Sequence, residues 1–385
     1  MKLEGIKVVD LSLFLPGPAM TQAMADHGAV VIKVEPPGGE PNREIGLKRD
    51  GVSVFFANTH RGKQSLVLNL KTAEGVEALL RLAAGADVFV ESFRPGVVDR
   101  LGVGYPAVAA RNPQIVYVSI SAYGQTGPYR DRPAHDLAVE AMSGVLSVNA
   151  GWNDRPWNPA VAAADMLAAH VALAGVLMAL LRRERTGRGD RLDVAMMDAL
   201  IAGMPNNYGP PMAEKRQPVV SDERSWGGNA MYRVYETQDR RFIALGGAEL
   251  KFAANLLTAL GRPDLIDLCR LPPGPGQQPV RDFLERTFRT RTQDEWVLWM
   301  AGRDIAFAPV KSLREGLDDP QVRARGMVLE DGRGWEHIGL PARFADEPGR
   351  VDFALPELGQ HSRDILRGLG YSAAELDGMK ARGVF

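Results

Sequence analysis

The sequence predicts an α/β protein, with a large lobe built on a parallel sheet and a smaller α+β lobe after it. Two observations carry this. The first third alternates apolar runs with helical patterns, and those runs are too continuously apolar to be strands with one solvated face. Beyond residue 226 the pattern changes to two short alternating runs about a polar turn, followed by helical periods.

Residues 6–11 form an apolar run read as a strand, 15–18 (Leu-Pro-Gly-Pro) a turn, 19–26 a helix and 29–34 a second strand, which together make a βαβ unit. The rhythm continues with strand 65–70, helix 73–84, and strands 87–91 and 114–119. The longest apolar stretch, 161–181, has the roughly 20 residues that a bilayer span needs, but Asp165 and His170 inside it make that placement costly. It is read as a buried helix, closed by Arg182, Arg183 and Arg185 at the negative end of its dipole and by Gly187.

Residues 209–226 are polar and Pro-containing and read as a linker between a large domain over 1–208 and a small one over 227–325. In the small domain, 232–235 and 242–245 bracket Gln238-Asp239-Arg240 as a hairpin, before helices 251–260 and 279–288. Residues 326–385 return to the large domain with short helices at 363–369 and 373–381.

At 385 residues and 45% hydrophobic content the chain can bury a large core. A formal net charge of −1 supplies no global basic field, so neither nucleic acid nor an anionic membrane is an expected partner. One cysteine, Cys269, forms no internal disulfide and no Cys-rich metal site, and no residue pattern predicts a bound metal. With no secretory signal pattern at the N-terminus, a cytoplasmic location is expected. The first turn lacks the GxGxxG spacing of a dinucleotide site although Glu35 sits near the position of a ribose-binding acid.

Any anionic ligand must therefore be held locally. Between Arg43 and Lys71 lie six basic residues (Arg43, Lys48, Arg49, Arg61, Lys63, Lys71) against Glu44 and Asp50, a cluster able to hold phosphates or simply a solvated surface. Arg94 and Arg100 flank a Pro-Gly turn leaving the end of a strand, where open α/β sheets bind ligands.

Seven motifs together resemble the class III CoA-transferase family, which includes formyl-CoA transferase, carnitine CoA-transferase and α-methylacyl-CoA racemase. They are GIKVVDLSLFLPGP, VVIKVEPPGGE, HRGKQSLVLNLKT, ADVFVESFRPGVVDRLGVG, AYGQTGPYRDRPAHD, RTGRGDRLDVAMMDA and LGQHSRDILRGLGYS, with Asp165 between the fifth and sixth. The resemblance covers nearly the whole chain. It implies a Rossmann-like large domain, an interlocked homodimer, and coenzyme A as part of the substrate rather than a resident cofactor. It also implies CoA contacts at Arg61, Lys63, Leu68, Lys71, Ser92, Phe93, Arg94 and Arg100.

Asp165 matches the family's catalytic aspartate, a nucleophile in the transferases and a proton donor and acceptor in the racemases. As an isolated residue it reads equally as a helix N-cap. His135, followed by Asp136, resembles the racemase segment and would pair with Asp165 across a planar enolate. Glu249 resembles the glutamate that orients that histidine, and Gly227-Gly228 a shortened glycine loop over the site. On these residues the expected activity is racemisation of 2-methyl-branched acyl-CoA thioesters; the alternative is CoA transfer between carboxylic acids through an aspartyl intermediate.

Overall fold

The computed structural model describes residues 1–149 and 155–385. The chain divides into two compact units, the first comprising Met1–Asn149, Trp157–Gly203 and Gln321–Phe385, the second Met204–Pro320. The 209–226 passage belongs to the second unit and contains a helix, Gly209–Glu214.

The large sheet of the first unit has six strands: β1 (Lys7–Asp10), β2 (Val30–Glu35), β3 (Gln64–Val67), β4 (Val88–Glu91), β5 (Val116–Ser121) and β6 (Asp190–Ala195). They pair in the order β3-β2-β1-β4-β5-β6, and every pairing is parallel. This is a Rossmann-like sheet, whose order reverses direction between β1 and β4. Strands β4 and β5 are buried throughout, as the continuous apolar runs require of a sheet covered on both faces.

Helix α1 (Pro16–Asp26) starts at the turn expected over 15–18. Proline at the first helical positions costs no hydrogen bond, since those N–H groups have no partner inside the helix. Gly17 allows the close approach: a Cβ there would lie 2.1 Å from the Ser12 side chain. Helix α2 (Ala73–Ala84) is capped by Thr72, whose hydroxyl accepts the Gly75 N–H, and turns Ala78, Leu79, Leu82 and Ala83 into the core.

Helix α3 (Asp136–Met142) precedes the long apolar helix α4 (Ala163–Thr186), which ends on Gly187 at φ 65°. Helix α4 packs on α1 and on the short helix α5 (Met196–Ala202). It is apolar on all sides, so that packing covers only part of it: Val171, Leu177, Met178 and Leu181 are 45, 41, 65 and 63% exposed. The helix expected from sequence to be buried is thus only partly covered in a single chain. By length and composition α4 could also cross a membrane.

The C-terminal segment returns to this unit as α9 (Ser362–Gly368) and α10 (Ala373–Ala381), placing Leu366, Leu376 and Met379 in the same core as Val9 and Phe89. Gly359 to Ser362 lie along the open edge of β3, where His361 N–H donates to Ser65 O and Ser362 Oγ accepts the Val67 N–H, both at 3.0 Å.

In the second unit, β7 (Tyr232–Glu236), β8 (Phe242–Gly246) and β9 (Phe307–Pro309) form an antiparallel sheet. Helices α6 (Leu250–Ala259), α7 (Gln278–Phe288) and α8 (Gln293–Met300) contribute Leu256, Leu284 and Trp296 to its core.

Candidate active site

Loops at the carboxyl ends of β1, β4 and β5 surround a cavity of about 410 Å³. It lies where the strand order reverses, because chains leaving β1 and β4 cross to opposite sides and open a crevice between them. Among the residues singled out by sequence, Asp165, His135, Ser92, Phe93 and Arg94 meet in its wall.

Asp165 is the third residue of α4 and not its cap; that place is taken by Ala162, which has no side-chain oxygen to offer. Two carboxylates of α3 supply the missing acceptors. Asp136 Oδ1 accepts the Asp165 N–H at 3.0 Å, and Glu140 Oε1 accepts the Ala163 N–H at 3.2 Å. Their i, i+4 spacing puts both on one face of α3. Three carboxylates therefore gather at the first turn of α4. Burial, and then the negative charges of Asp136 and Glu140, push Asp165 up to about 7. Burial and Asp136 also raise Glu140.

His135 is exposed, immediately before α3, and its ring meets that of Phe14 edge-on at 5.3 Å between centroids. Phe14 has φ 63°, a left-handed conformation that costs a bulky residue about 1–2 kcal/mol. Buried partners hold it there: Glu40 Oε1 accepts its N–H at 2.9 Å, and Asn42 Nδ2 donates to its carbonyl. Ser92 Oγ accepts the N–H of Leu13 at 2.8 Å, tying the loop after β1 to the loop after β4.

Arg94 is exposed in the cavity wall, as are Arg130 and Arg132, and these guanidinium groups can pair with phosphate oxygens there. Arg100 and Lys71 are exposed outside that wall. Phe93 is half-buried, its N–H donated to Glu91 Oε2 at 2.8 Å.

Three of the expected CoA contacts, Arg61, Lys63 and Leu68, are buried in this chain. Lys63 is fully enclosed, its ammonium 2.8 Å from Thr21 Oγ1 and 3.4 Å from Asp10 Oδ2. Arg61 pairs internally with Asp26 at 3.0 Å, its side chain 3% exposed. Leu68 is 1% exposed in the core and presents no side chain to an adenine. Lys33 joins the same buried network, 3.1 Å from Glu40 and 3.9 Å from Asp10. Burial alone would raise Asp10; the charges of Lys33 and Lys63, with hydroxyls from Ser12 and Thr21, outweigh it and hold Asp10 at about 2. Burial brings Lys63 down to about 8, against the attraction of Asp10.

The remaining expected residues lie in the second unit. Glu249 is exposed at the position preceding α6 and makes no capping bond. Gly227 and Gly228 are buried in a packed turn: a Cβ on Gly228 would fall 2.3 Å from the Asp222 backbone, and Gly228 O accepts from Gly274 N–H and Arg281. These glycines serve close packing within their unit.

Sequence reasoning missed Phe14, Glu140, Arg130 and Arg132. The Asp136/Glu140 pair at helical spacing was the one local signal for Glu140, and the Arg-Asp-Arg run of the AYGQTGPYRDRPAHD motif the signal for the arginines.

Comparison with known proteins agrees with this construction. The model of CoA-transferase family III matches residues 3–362. The chain is 32% identical to a succinyl-CoA–D-citramalate CoA-transferase of Chloroflexus aurantiacus, over 99% of this chain and 98% of that protein. It is 33% identical to an acetyl-CoA:oxalate CoA-transferase of Acetobacter aceti, over 92% and 96%. A CAIB/BAIF family protein from Brucella suis has the same fold, with TM-score 0.83 and 29% identity over 95% of this chain and 99% of that one. The chain belongs to CoA-transferase family III.

Proposed function

We propose that the protein transfers CoA from an acyl-CoA donor to a small carboxylic acid, with Asp165 as the nucleophile. The observation that carries this reading is the place of Asp165, a carboxylate in the wall of a cavity that also presents Arg94, Arg130 and Arg132. Full-length relatives named for CoA transfer to D-citramalate and oxalate support transfer over the racemisation expected from His135.

In this mechanism the ionised Asp165 attacks the thioester carbonyl, the carbon–sulfur bond breaks, and CoA leaves as thiolate with a mixed anhydride on Asp165. The thiolate then attacks the aspartyl carbonyl and expels the donor acid, leaving an aspartyl-CoA thioester. The acceptor carboxylate attacks that thioester, and the returning thiolate takes the new acyl group and frees Asp165. The arginines hold CoA phosphates through both departures of the thiolate.

One observation favours a second reading: His135 and Asp165 share the cavity, as a base and an acid on either side of an enolate would. The test runs single acyl-CoA substrates in deuterated water beside an assay with a free carboxylic acid acceptor. Transfer with hydroxylamine-trapped acyl on Asp165 and no α-deuterium supports the transferase. Deuterium uptake without transfer promotes the racemase.

The interlocked dimer is part of this proposal. Its support in this chain is the apolar face of α4, which an isolated protomer leaves in water. Light scattering is expected to report a dimer that persists on dilution; a folded monomer at micromolar concentration overturns it.

A further inference from the structure

We propose that Phe14 determines acyl specificity: Glu40 and Asn42 hold its backbone in a left-handed conformation so that its ring closes the acyl end of the cavity beside Asp165. The inference rests on the reading that the acyl carbonyl meets Asp165, and it holds for transfer or for proton exchange.

Phe14 is a backbone outlier. A phenylalanine at φ 63° persists only where its surroundings over-determine it. Here they do so completely. The Phe14 N–H goes to Glu40 and its carbonyl to Asn42, side chains that are 1% and 0% exposed. Glu40 is itself fixed by Lys33 at 3.1 Å, and its own N–H donates to Glu35 Oε2 at 2.9 Å. The preceding residues have no slack, since Ser12 N–H is bound by Asp10 and Leu13 N–H by Ser92. Glycine would adopt this backbone without cost, so the device serves the ring.

The ring's position gives it a role. Arg94, Arg130 and Arg132 form the cationic part of the wall and attract the phosphates of CoA. Leu13, Phe14, Ile120, Tyr123 and Met196 form the apolar part and are left to the acyl group. The ring of Phe14 meets that of His135 edge-on in the same wall, 88° between ring planes, a geometry favoured between aromatic rings. A chain so constrained selects small acyl groups, because apolar pockets discriminate by filled volume.

Calorimetry with free CoA, acetyl-CoA and octanoyl-CoA tests this without requiring turnover, so it stands apart from the fate of the transferase reading. Phe14→Ala and Phe14→Gly are expected to raise octanoyl-CoA affinity relative to acetyl-CoA by about tenfold or more, with free CoA affinity unchanged. Phe14→Gly is expected to melt no lower than Phe14→Ala, because it removes the backbone strain. Asn42→Ala should shift the same ratio in the same direction by less, and add nothing to Phe14→Ala in the double variant. An unchanged ratio in folded, CoA-binding Phe14→Gly overturns the proposal, and so does an Asn42→Ala shift that adds fully to that of Phe14→Ala.

Discussion

Asp10 and Asp165 belong to the same unit, both lie within a short distance of the cavity along the chain or in its wall, and their surroundings drive them in opposite directions. Asp10 ends β1 between two buried ammonium groups and is held at about 2. Asp165 lies buried in the first turn of α4 beside two more carboxylates and is raised to about 7. Opposite charges outweigh burial and make the first a structural fixture; burial, reinforced by gathered like charges, makes the second a group that gives up its proton near neutrality. The cations divide the same way. Lys63 and Arg61 are committed to internal carboxylates, whereas Arg94 stands exposed at the cavity with none beside it among the described ion pairs.

The pH dependence follows from the signs. Asp10, depressed in the folded state, contributes stability that is present above its unfolded value near 4 and is lost as pH falls toward 2. Asp165, raised in the folded state, does the reverse: stability falls as pH rises from about 4 through 7. Turnover through ionised Asp165 is expected to rise through the same interval, with kcat/KM levelling above about 7.

The sharpest attempt to break the contrast is Asp165→Asn. Transfer is expected to fall by roughly 10³ to 10⁴, while urea denaturation at pH 8 shows stability raised by up to about 4 kcal/mol; a destabilised variant would mean that Asp165 is a structural charge after all. Next comes Lys63→Ala, which leaves Asp10 underpaired in the core. Stability should drop by about 3–5 kcal/mol with CoA affinity of the folded protein retained, and loss of CoA binding at unchanged stability would return Lys63 to the ligand site. Smaller again is Arg94→Ala, expected to weaken CoA binding by about 1–3 kcal/mol while the denaturation midpoint stays put. Smallest is Glu140→Gln, which keeps an acceptor for the Ala163 N–H and removes one charge. The midpoint of the pH–kcat/KM profile should move to lower pH, and an unmoved midpoint would assign the high value of Asp165 to burial and Asp136 alone.

What the sequence disclosed, and what it did not, divides along the same line. Helix 73–84 has the same bounds in the structure, because its periodicity and the Thr72 cap are local. The parallel sheet was legible in its apolar strands, and the cavity was legible through family motifs that place Asp165, His135 and Arg94. The fates of Arg61 and Lys63 were not, since they depend on carboxylates at Asp26 and Asp10, far back in the chain. Phe14 gave no warning either: nothing in Leu-Phe-Leu implies a left-handed backbone, and only Glu40 and Asn42, brought in by the turn after β2, impose it. Proline blurred the start of α1, where fixed φ suits a first helical turn as well as a bend.

The segment from Gly359 to Ser362 has a consequence for how the molecule comes off the ribosome. Strand β3 is an outer strand of the large sheet, and the groups that satisfy its free side are encoded almost 300 residues later. At about 5–20 residues per second, synthesis leaves that border bare for roughly 15 to 60 s, with Ser65 and Val67 offering an unpaired template for any other extended chain. Residues 359–362 thus act as a built-in seal. Removal of residues 359–362 is expected to be felt first as aggregation rather than as loss of chemistry.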